Sequence, residues 1–120
     1  MTTPDFIADQ DFNEQFVRTL TAAVKGSADL GEAFAVADQI VPGDIDSWTS
    51  AWTAKADEVR ASADRSLSAG DPVSARKAYL RASEYYRQAT FYHRVDLDNP
   101  TLHLAYGAHV DTFRAALPLL

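Results

Sequence analysis

Histidine, serine and carboxylate side chains are the groups in this 120-residue sequence that could hold a metal or catalyse a reaction. The three histidines are His93, His103 and His109. His103 and His109 are six residues apart, about 120° around a helix, so they do not share one metal as histidines four residues apart do. His93 falls on the apolar face of a predicted helix, where a hydrogen-bonded core histidine is the ordinary interpretation. We therefore predict no metal site.

No nucleophile or calcium loop has the required spacing. Segment 26–31 holds a serine between two glycines, but it lacks the Gly-x-Ser-x-Gly spacing of a nucleophile elbow and follows no predicted strand. Asp96 and Asp98 are spaced as at the start of a calcium loop, yet Thr101 stands where that loop needs glycine and Gly107 where it needs glutamate. Phosphate- and dinucleotide-binding patterns are also missing. We predict no catalytic residue and no cofactor in this chain alone.

Composition excludes several classes of partner and site. The formal net charge is −6, and an acidic surface repels phosphate backbones, so we expect no nucleic-acid partner. The sequence has no cysteine, which excludes disulfides and thiolate metal sites. No apolar run approaches the roughly 18 residues that span a bilayer, and the first residues lack the basic and apolar stretches of a signal peptide. We expect a cytoplasmic protein with no membrane partner.

Apolar residues recur at helical spacing and no segment reads as a strand, which predicts an all-α fold, a four- to five-helix bundle. A flexible tail is predicted over residues 1–10 and a helical domain over residues 11–120. Asp11 and Glu14 form a capping pattern for the first helix, and Asp46 or Ser47 caps the third. The later helices are predicted at about residues 30–40, 47–69, 72–94, and from Asn99 or Thr101 to near Pro118.

A tight turn joins the third and fourth predicted helices. Gly70 is placed as the C-terminal cap of one, and Asp71 as the N-cap of the other. Pro72 follows in the first turn, where the missing N–H of proline costs nothing. A long antiparallel αα-hairpin therefore dominates the predicted bundle.

The fourth predicted helix is apolar on two sides. Val73, Leu80 and Phe91 project roughly opposite its main apolar face, with Glu84 and Arg87 between them. A helix at the surface of a free-standing domain shows one apolar face, so two faces indicate packing inside its own bundle or against a partner. The periodicity leaves both interpretations open. The main face comprises Ala75, Ala78, Tyr79, Ala82, Tyr85, Tyr86, Ala89 and His93.

Trp48, Trp52, Tyr85 and Tyr86 lie at helical spacing on the two hairpin helices. Such aromatics are typical of a core, and they also fit a ligand pocket at the open end of the hairpin. Buried tyrosine hydroxyls need hydrogen-bond partners, and Arg81 is one candidate. The residue pattern does not decide between core and pocket.

One longer set of residues resembles a known family. The sequence is similar, over roughly residues 30–120, to the N-terminal helical cap region of a group of bacterial and fungal α/β-hydrolases. That group includes fermentation-respiration-switch esterase-like proteins, 2,6-dihydroxypseudooxynicotine hydrolase and fungal polyketide-shortening hydrolases. The residues that carry the resemblance are Gly43-Asp44, Ser47-Trp48, Trp52, Ala56, Gly70, Ser74-Ala75-Arg76, the run from Ala78 to Ala89, and Phe113 to Leu117.

The resemblance implies a cap, or lid, over the active site of a catalytic α/β domain that cleaves esters or C–C bonds. That domain, with its serine, acid and histidine, is absent from this chain, which stops where its first strand is expected. The implied partners are the catalytic domain or subunit and a second copy in a homodimer. The implied substrate-pocket residues are Trp48, Trp52, Arg81, Tyr85 and Tyr86. The implied docking residues are Val73, Leu80, Arg87 and Phe91.

Two alternatives stay open. The Trp, Ala, Gly, Ala and Tyr spacing across the hairpin is loosely similar to a tetratricopeptide repeat, which suggests a stand-alone protein-interaction module. About three such repeats are normally needed for stability, and only one hairpin fits. A small-ligand binder with a cavity inside the bundle is the third interpretation, and it rests on aromatic content.

Overall fold

The computed structural model describes residues 5–120, and that part of the chain forms five α-helices without a strand. The all-α prediction is confirmed. Short 3-10 turns follow α1, α4 and α5. Of the predicted tail, residues 1–4 lie outside the described part, and α1 already includes residue 10. The helices are α1 (Gln10–Ala22), α2 (Leu30–Ala37), α3 (Ile45–Ser68), α4 (Pro72–Thr90) and α5 (Pro100–Ala116).

An aspartate or asparagine side chain caps the start of every α-helix in this part of the chain. The caps are Asp9, Asp29, Asp44, Asp71 and Asn99, and each accepts a hydrogen bond from a backbone N–H of the first turn. The caps at Asp71 and Asn99 agree with the prediction.

Two predicted helix starts were wrong by two or three residues. Asp9 rather than Asp11 caps α1. Asp44, not Asp46 or Ser47, caps α3, because its carboxylate accepts from both of their backbone N–H groups. Several cap-competent residues stand close together at these starts, and only the extended backbone conformation at the true cap distinguishes it.

Two helices end earlier than predicted. α2 ends at Ala37 rather than residue 40, since Gln39 and Ile40 donate to carbonyls three residues back in a tightened turn just before Pro42. α4 ends at Thr90 rather than residue 94, and a 3-10 turn covers Phe91–His93. The Thr90 hydroxyl donates to the Arg87 carbonyl oxygen over 2.7 Å and so competes for an acceptor of the last turn.

α4 is the central helix, and it packs lengthwise against α3 on one side and α5 on the other. The predicted long hairpin is therefore the α3–α4 pair. Gly70 in its turn has φ +79°, a left-handed conformation that glycine adopts without strain. α1 and α2 pack at the open end of this hairpin, where Phe12 and Phe16 contact Trp48 and Trp52 with ring centroids 5.1 and 6.1 Å apart.

The bundle itself covers much of the second apolar side of α4. Leu80 is half-buried against the core and Phe91 is half-buried beside Tyr92, whereas Val73 is 49% exposed. Of the two interpretations left open by the periodicity, packing within the chain thus accounts for most of this side. Within residues 5–120, no helix has the length and apolar character needed to cross a bilayer.

Candidate functional site

Three of the predicted pocket residues form the centre of the aromatic core. Trp48, Trp52 and Tyr85 are fully buried. The centroids of the two indole rings lie 5.8 Å apart, and the ring of Tyr85 lies 5.6 Å from that of Trp52. In the described structure their side chains face one another rather than solvent. Their role in a substrate pocket stays a prediction.

Arg81, a fourth predicted pocket residue, links α4 to α2. Its Nε donates to Glu32 Oε1 over 2.8 Å, and the Tyr85 hydroxyl donates to the same oxygen over 2.7 Å. The Tyr85 oxygen also accepts from the Asp29 backbone N–H at 2.9 Å. Burial raises the pKa of Tyr85 well above its ordinary value, so the hydroxyl keeps its proton. The arrangement anchors α2 rather than presenting a free guanidinium.

Tyr86, the fifth, lies between α3 and α5. Its hydroxyl donates to the Asp57 carboxylate, and two turns towards the start of α4, Tyr79 donates to Asp64 over 2.5 Å. Burial, aided by these hydrogen bonds, raises the pKa of each tyrosine to about 12. Tyr86 also borders a shallow cleft of about 310 Å³ whose lining includes Arg60 and residues of α5. Tyr86 is thus a predicted pocket residue that borders an open cleft, and its role in a substrate pocket stays a prediction.

An open cleft lies between the C-terminal end of α4 and α5, and we call it the α4–α5 cleft. Its volume is about 660 Å³. It brings together two predicted docking residues, Arg87 and Phe91, while Leu80 and Val73 are not in its lining. Helical periodicity could not reveal it, because residues 94–97 of the following loop complete it. The lining is Arg87, Thr90, Phe91, Arg94, Leu97, Leu102, His103, Tyr106 and His109.

The two arginines of the α4–α5 cleft differ in their partners. Arg87 makes a two-pronged pair with Glu84, with N–O distances of 2.6 and 2.9 Å, and this hydrogen bonding raises its pKa. Arg94 donates through Nε to the Phe91 carbonyl oxygen, and its guanidinium lies 4.1 Å from the centroid of the Phe91 ring. Among the described residues no carboxylate pairs with Arg94.

A half-buried serine–histidine contact lies at the edge of this cleft, since His109 is part of its lining. Ser83 Oγ is 2.9 Å from His109 Nδ1 and donates to the His109 carbonyl oxygen over 3.0 Å. His109 Nδ1 is also 2.9 Å from the Ser83 carbonyl oxygen, an acceptor that requires a proton on Nδ1. With its proton on Nδ1, the imidazole donates to this carbonyl, and that nitrogen does not act as a base toward the Ser83 hydroxyl. The pair joins α4 to α5.

The remaining histidines are held by hydrogen bonds as well. His93 Nε2 lies 2.9 Å from Thr49 Oγ1, and its Nδ1 lies 3.3 Å from Asn99 Nδ2. His103 Nε2 lies 2.5 Å from the Leu97 carbonyl oxygen. Throughout the described residues, no three side chains of the metal-binding types converge.

Comparison with known proteins shows that this chain is similar in sequence to fungal hydrolases. It is 43% identical over 118 residues to the hydrolyase poxO of Penicillium oxalicum, and the alignment covers 96% of this chain and 28% of poxO. It is 33% identical over 109 residues to the 20-hydroxy-prefusarin hydrolase FUS2 of Gibberella moniliformis, covering 91% of this chain and 26% of FUS2. The α/β hydrolase xenA of Xenoacremonium sinensis is 38% identical over 80 residues, covering 67% of this chain and 19% of xenA.

The chain is a homologue of one segment of fungal hydrolases. It spans a little over a quarter of the length of poxO and FUS2. The similarity to poxO extends past the residues 30–120 expected from the resemblance and takes in nearly the whole five-helix unit. No family model and no solved structure matches the chain.

Proposed function

We propose that this chain acts as the helical cap of an α/β-hydrolase and docks on a catalytic domain that supplies the nucleophile. The observation that carries the proposal is the similarity of nearly the whole chain to about a quarter of proteins named hydrolases. An α/β catalytic domain needs a parallel sheet, and residues 5–120 contain none. This all-helical unit therefore corresponds to a part of the hydrolase other than the catalytic domain. The finer likeness to fermentation-respiration-switch esterase-like proteins belongs to the same proposal.

A cap contributes to hydrolysis through shape and exclusion of water. Covering the active site holds the acyl or aryl part of the substrate and keeps bulk water away from the reacting carbonyl. The packed α3–α4–α5 layer provides a surface for this purpose. Val73, Leu80, Arg87 and Phe91 are the proposed docking residues, and the first of them is the most exposed. Such docking would bury the side chain of Val73.

A chimera tests the cap role. The matched segment of FUS2 is replaced by this chain, and turnover of 20-hydroxy-prefusarin is compared among intact FUS2, the chimera and FUS2 lacking the segment. Deletion should lower kcat/KM at least about a hundredfold, because substrate positioning is lost, and the chimera should recover to within about tenfold of FUS2. A chimera that folds but does no better than the deletion would contradict the proposal.

Docking is tested separately, so that loss of substrate fit is not mistaken for loss of the interface. This chain, added as a separate polypeptide, should bind the deleted FUS2, and Val73→Asp should weaken that binding about tenfold, since it buries an unpaired charge. Val24→Asp is the matched control, because Val24 is 90% exposed outside the proposed docking surface. Equal binding by both variants would remove Val73 from the interface.

A further inference from the structure

We propose that the α4–α5 cleft binds a hydrophobic carboxylate, a small molecule with an acyl or aryl tail and a single negative charge. Its volume of about 660 Å³ falls within the range of small-molecule sites. The cleft belongs to this chain alone, so the proposal does not depend on the cap role.

The apolar part of the cleft accounts for the tail. Phe91 and Leu102 form its inner surface, and Leu97 and Tyr106 form its rim. Leu97 is 70% exposed and Tyr106 is 58% exposed, which is a substantial apolar area to leave facing water at one concave site. A flat or extended hydrocarbon tail would cover these side chains without moving the helices.

The charge at the rim accounts for the carboxylate. Arg87 is neutralised by Glu84, whereas the Arg94 guanidinium has no carboxylate partner among the described residues and no acidic residue lines the cleft. Stacking on Phe91 and the bond from Nε to the Phe91 carbonyl orient this guanidinium, and its two terminal nitrogens stay free to donate. A planar guanidinium presents a matching pair of donors to a carboxylate. One unpaired guanidinium beside an apolar cleft therefore suits a single carboxylate on an apolar tail.

Titration of this chain with octanoate and with 1-octanol separates the charge from the tail. Binding is followed by calorimetry and by backbone amide shifts. Octanoate should bind about tenfold more tightly than 1-octanol, because only it makes charge-assisted hydrogen bonds. Decanoate should bind about tenfold more tightly than octanoate, because it buries two more methylene groups. The shifted amides should lie in residues 87–97 and 102–109.

Substitutions then assign the two parts of the site. Arg94→Gln should weaken octanoate about tenfold and leave 1-octanol unchanged, whereas Leu97→Ser should weaken both. Arg65→Gln is the matched control, since Arg65 is an exposed arginine at the other end of the α3–α4 hairpin. Both cleft positions are exposed, so circular dichroism should show an unchanged fold. Absence of saturable octanoate binding, equal binding of 1-octanol, or shifts outside the cleft would each overturn the proposal.

Discussion

Gln88 joins α4 to α1 and α3 through hydrogen bonds made inside the core. Its Nε2 donates to the Gln15 carbonyl oxygen at 2.5 Å and to Thr19 Oγ1 at 2.6 Å, and its backbone carbonyl accepts from Trp48 Nε1 at 2.8 Å. Gln88→Leu keeps the size but removes both side-chain hydrogen bonds to α1. We expect it to lower the free energy of unfolding by about 1–3 kcal/mol in urea titrations.

The control for Gln88 is the same change at a surface position. Gln39→Leu, in the exposed turn after α2, should alter the free energy of unfolding by less than about 0.5 kcal/mol. Equal effects at the two positions would show that the buried amide does not hold α1 against α4.

Tyr79 and Tyr86 make the fold sensitive to alkaline pH. Burial raises the pKa of both to about 12, and an unfolded tyrosine ionises near pH 10. Below pH 10 both states hold the proton and stability does not change on this account. Between about pH 10 and 12 only the unfolded state loses it, so stability falls as pH rises.

Phenylalanine substitution removes that pH dependence at one position. Between pH 10 and 12, the free energy of unfolding of Tyr86→Phe should fall by less, relative to its own value at neutral pH, than that of the unsubstituted chain. Urea titration at each pH measures both. Tyr106→Phe, at an exposed tyrosine, serves as the comparison. An identical pH dependence in all three chains would contradict the role of Tyr86.

Sequence periodicity identifies the buried aromatics but not the partners of the polar residues near them. Trp48, Trp52 and Tyr85 were open to two interpretations because a core and a pocket place the same demands on helical spacing. Arg81 pairs with Glu32, which lies 49 residues earlier, and no local pattern contains that information. The α4–α5 cleft was missed because the loop after α4 supplies part of it.

At the scale of helices, two glycines provide opposite tests. Gly70, in the α3–α4 turn, has φ +79°, and an added Cβ would meet nothing within 4 Å. Gly70→Ala should therefore destabilise the fold by about 1 kcal/mol through backbone strain alone.

Gly107 lies within α5, also with open space around it. Gly107→Ala should stabilise the fold by about 0.5–1 kcal/mol, because alanine has the higher helix propensity. Thermal unfolding of both variants measures the contrast, and two changes of the same sign would contradict it.

The sequence predicts the presence of each helix more reliably than the residues at which it begins and ends. Residues 70–72 are glycine, aspartate and proline, an order that fits one helix boundary, and the structure has the boundary there. At the start of α3, three cap-competent residues lie within four positions, and the backbone rather than residue type selects Asp44. At the end of α4, the Thr90 hydroxyl donates to the Arg87 carbonyl and competes with the backbone for this acceptor. The spacing of apolar residues contains no sign of that competition.

At the scale of the whole molecule, periodicity reports that a residue is covered but not what covers it. Leu80 and Phe91 were compatible with cover by the chain itself or by a partner. In the structure, the neighbours of α4 within the chain account for much of their burial, and Val73 is left exposed. The two apolar sides of α4 are therefore weaker support for a missing partner than the similarity to hydrolases of which the chain spans a little over a quarter.

Glu32 links α2 to the layer formed by α3, α4 and α5. Its carboxylate accepts from Arg81 and from the Tyr85 hydroxyl, so Glu32→Ala leaves a half-buried guanidinium and a buried hydroxyl without their acceptor. We expect a loss of about 1–3 kcal/mol in the free energy of unfolding. Hydrogen exchange should accelerate in α1 and α2 more than in α4, because the layer formed by α3, α4 and α5 keeps its own contacts.

The matched control is Glu58→Ala. Glu58 forms an exposed i,i+3 pair with Lys55 on α3, and such a pair contributes less than about 0.5 kcal/mol. Equal acceleration of exchange in all five helices of the Glu32 variant would mean that the bundle unfolds as one cooperative unit and that α2 is not separately fastened. Selective acceleration in α1 and α2 would instead show that a hydrogen-bonded network between distant residues, rather than the aromatic core alone, holds the N-terminal helices in place.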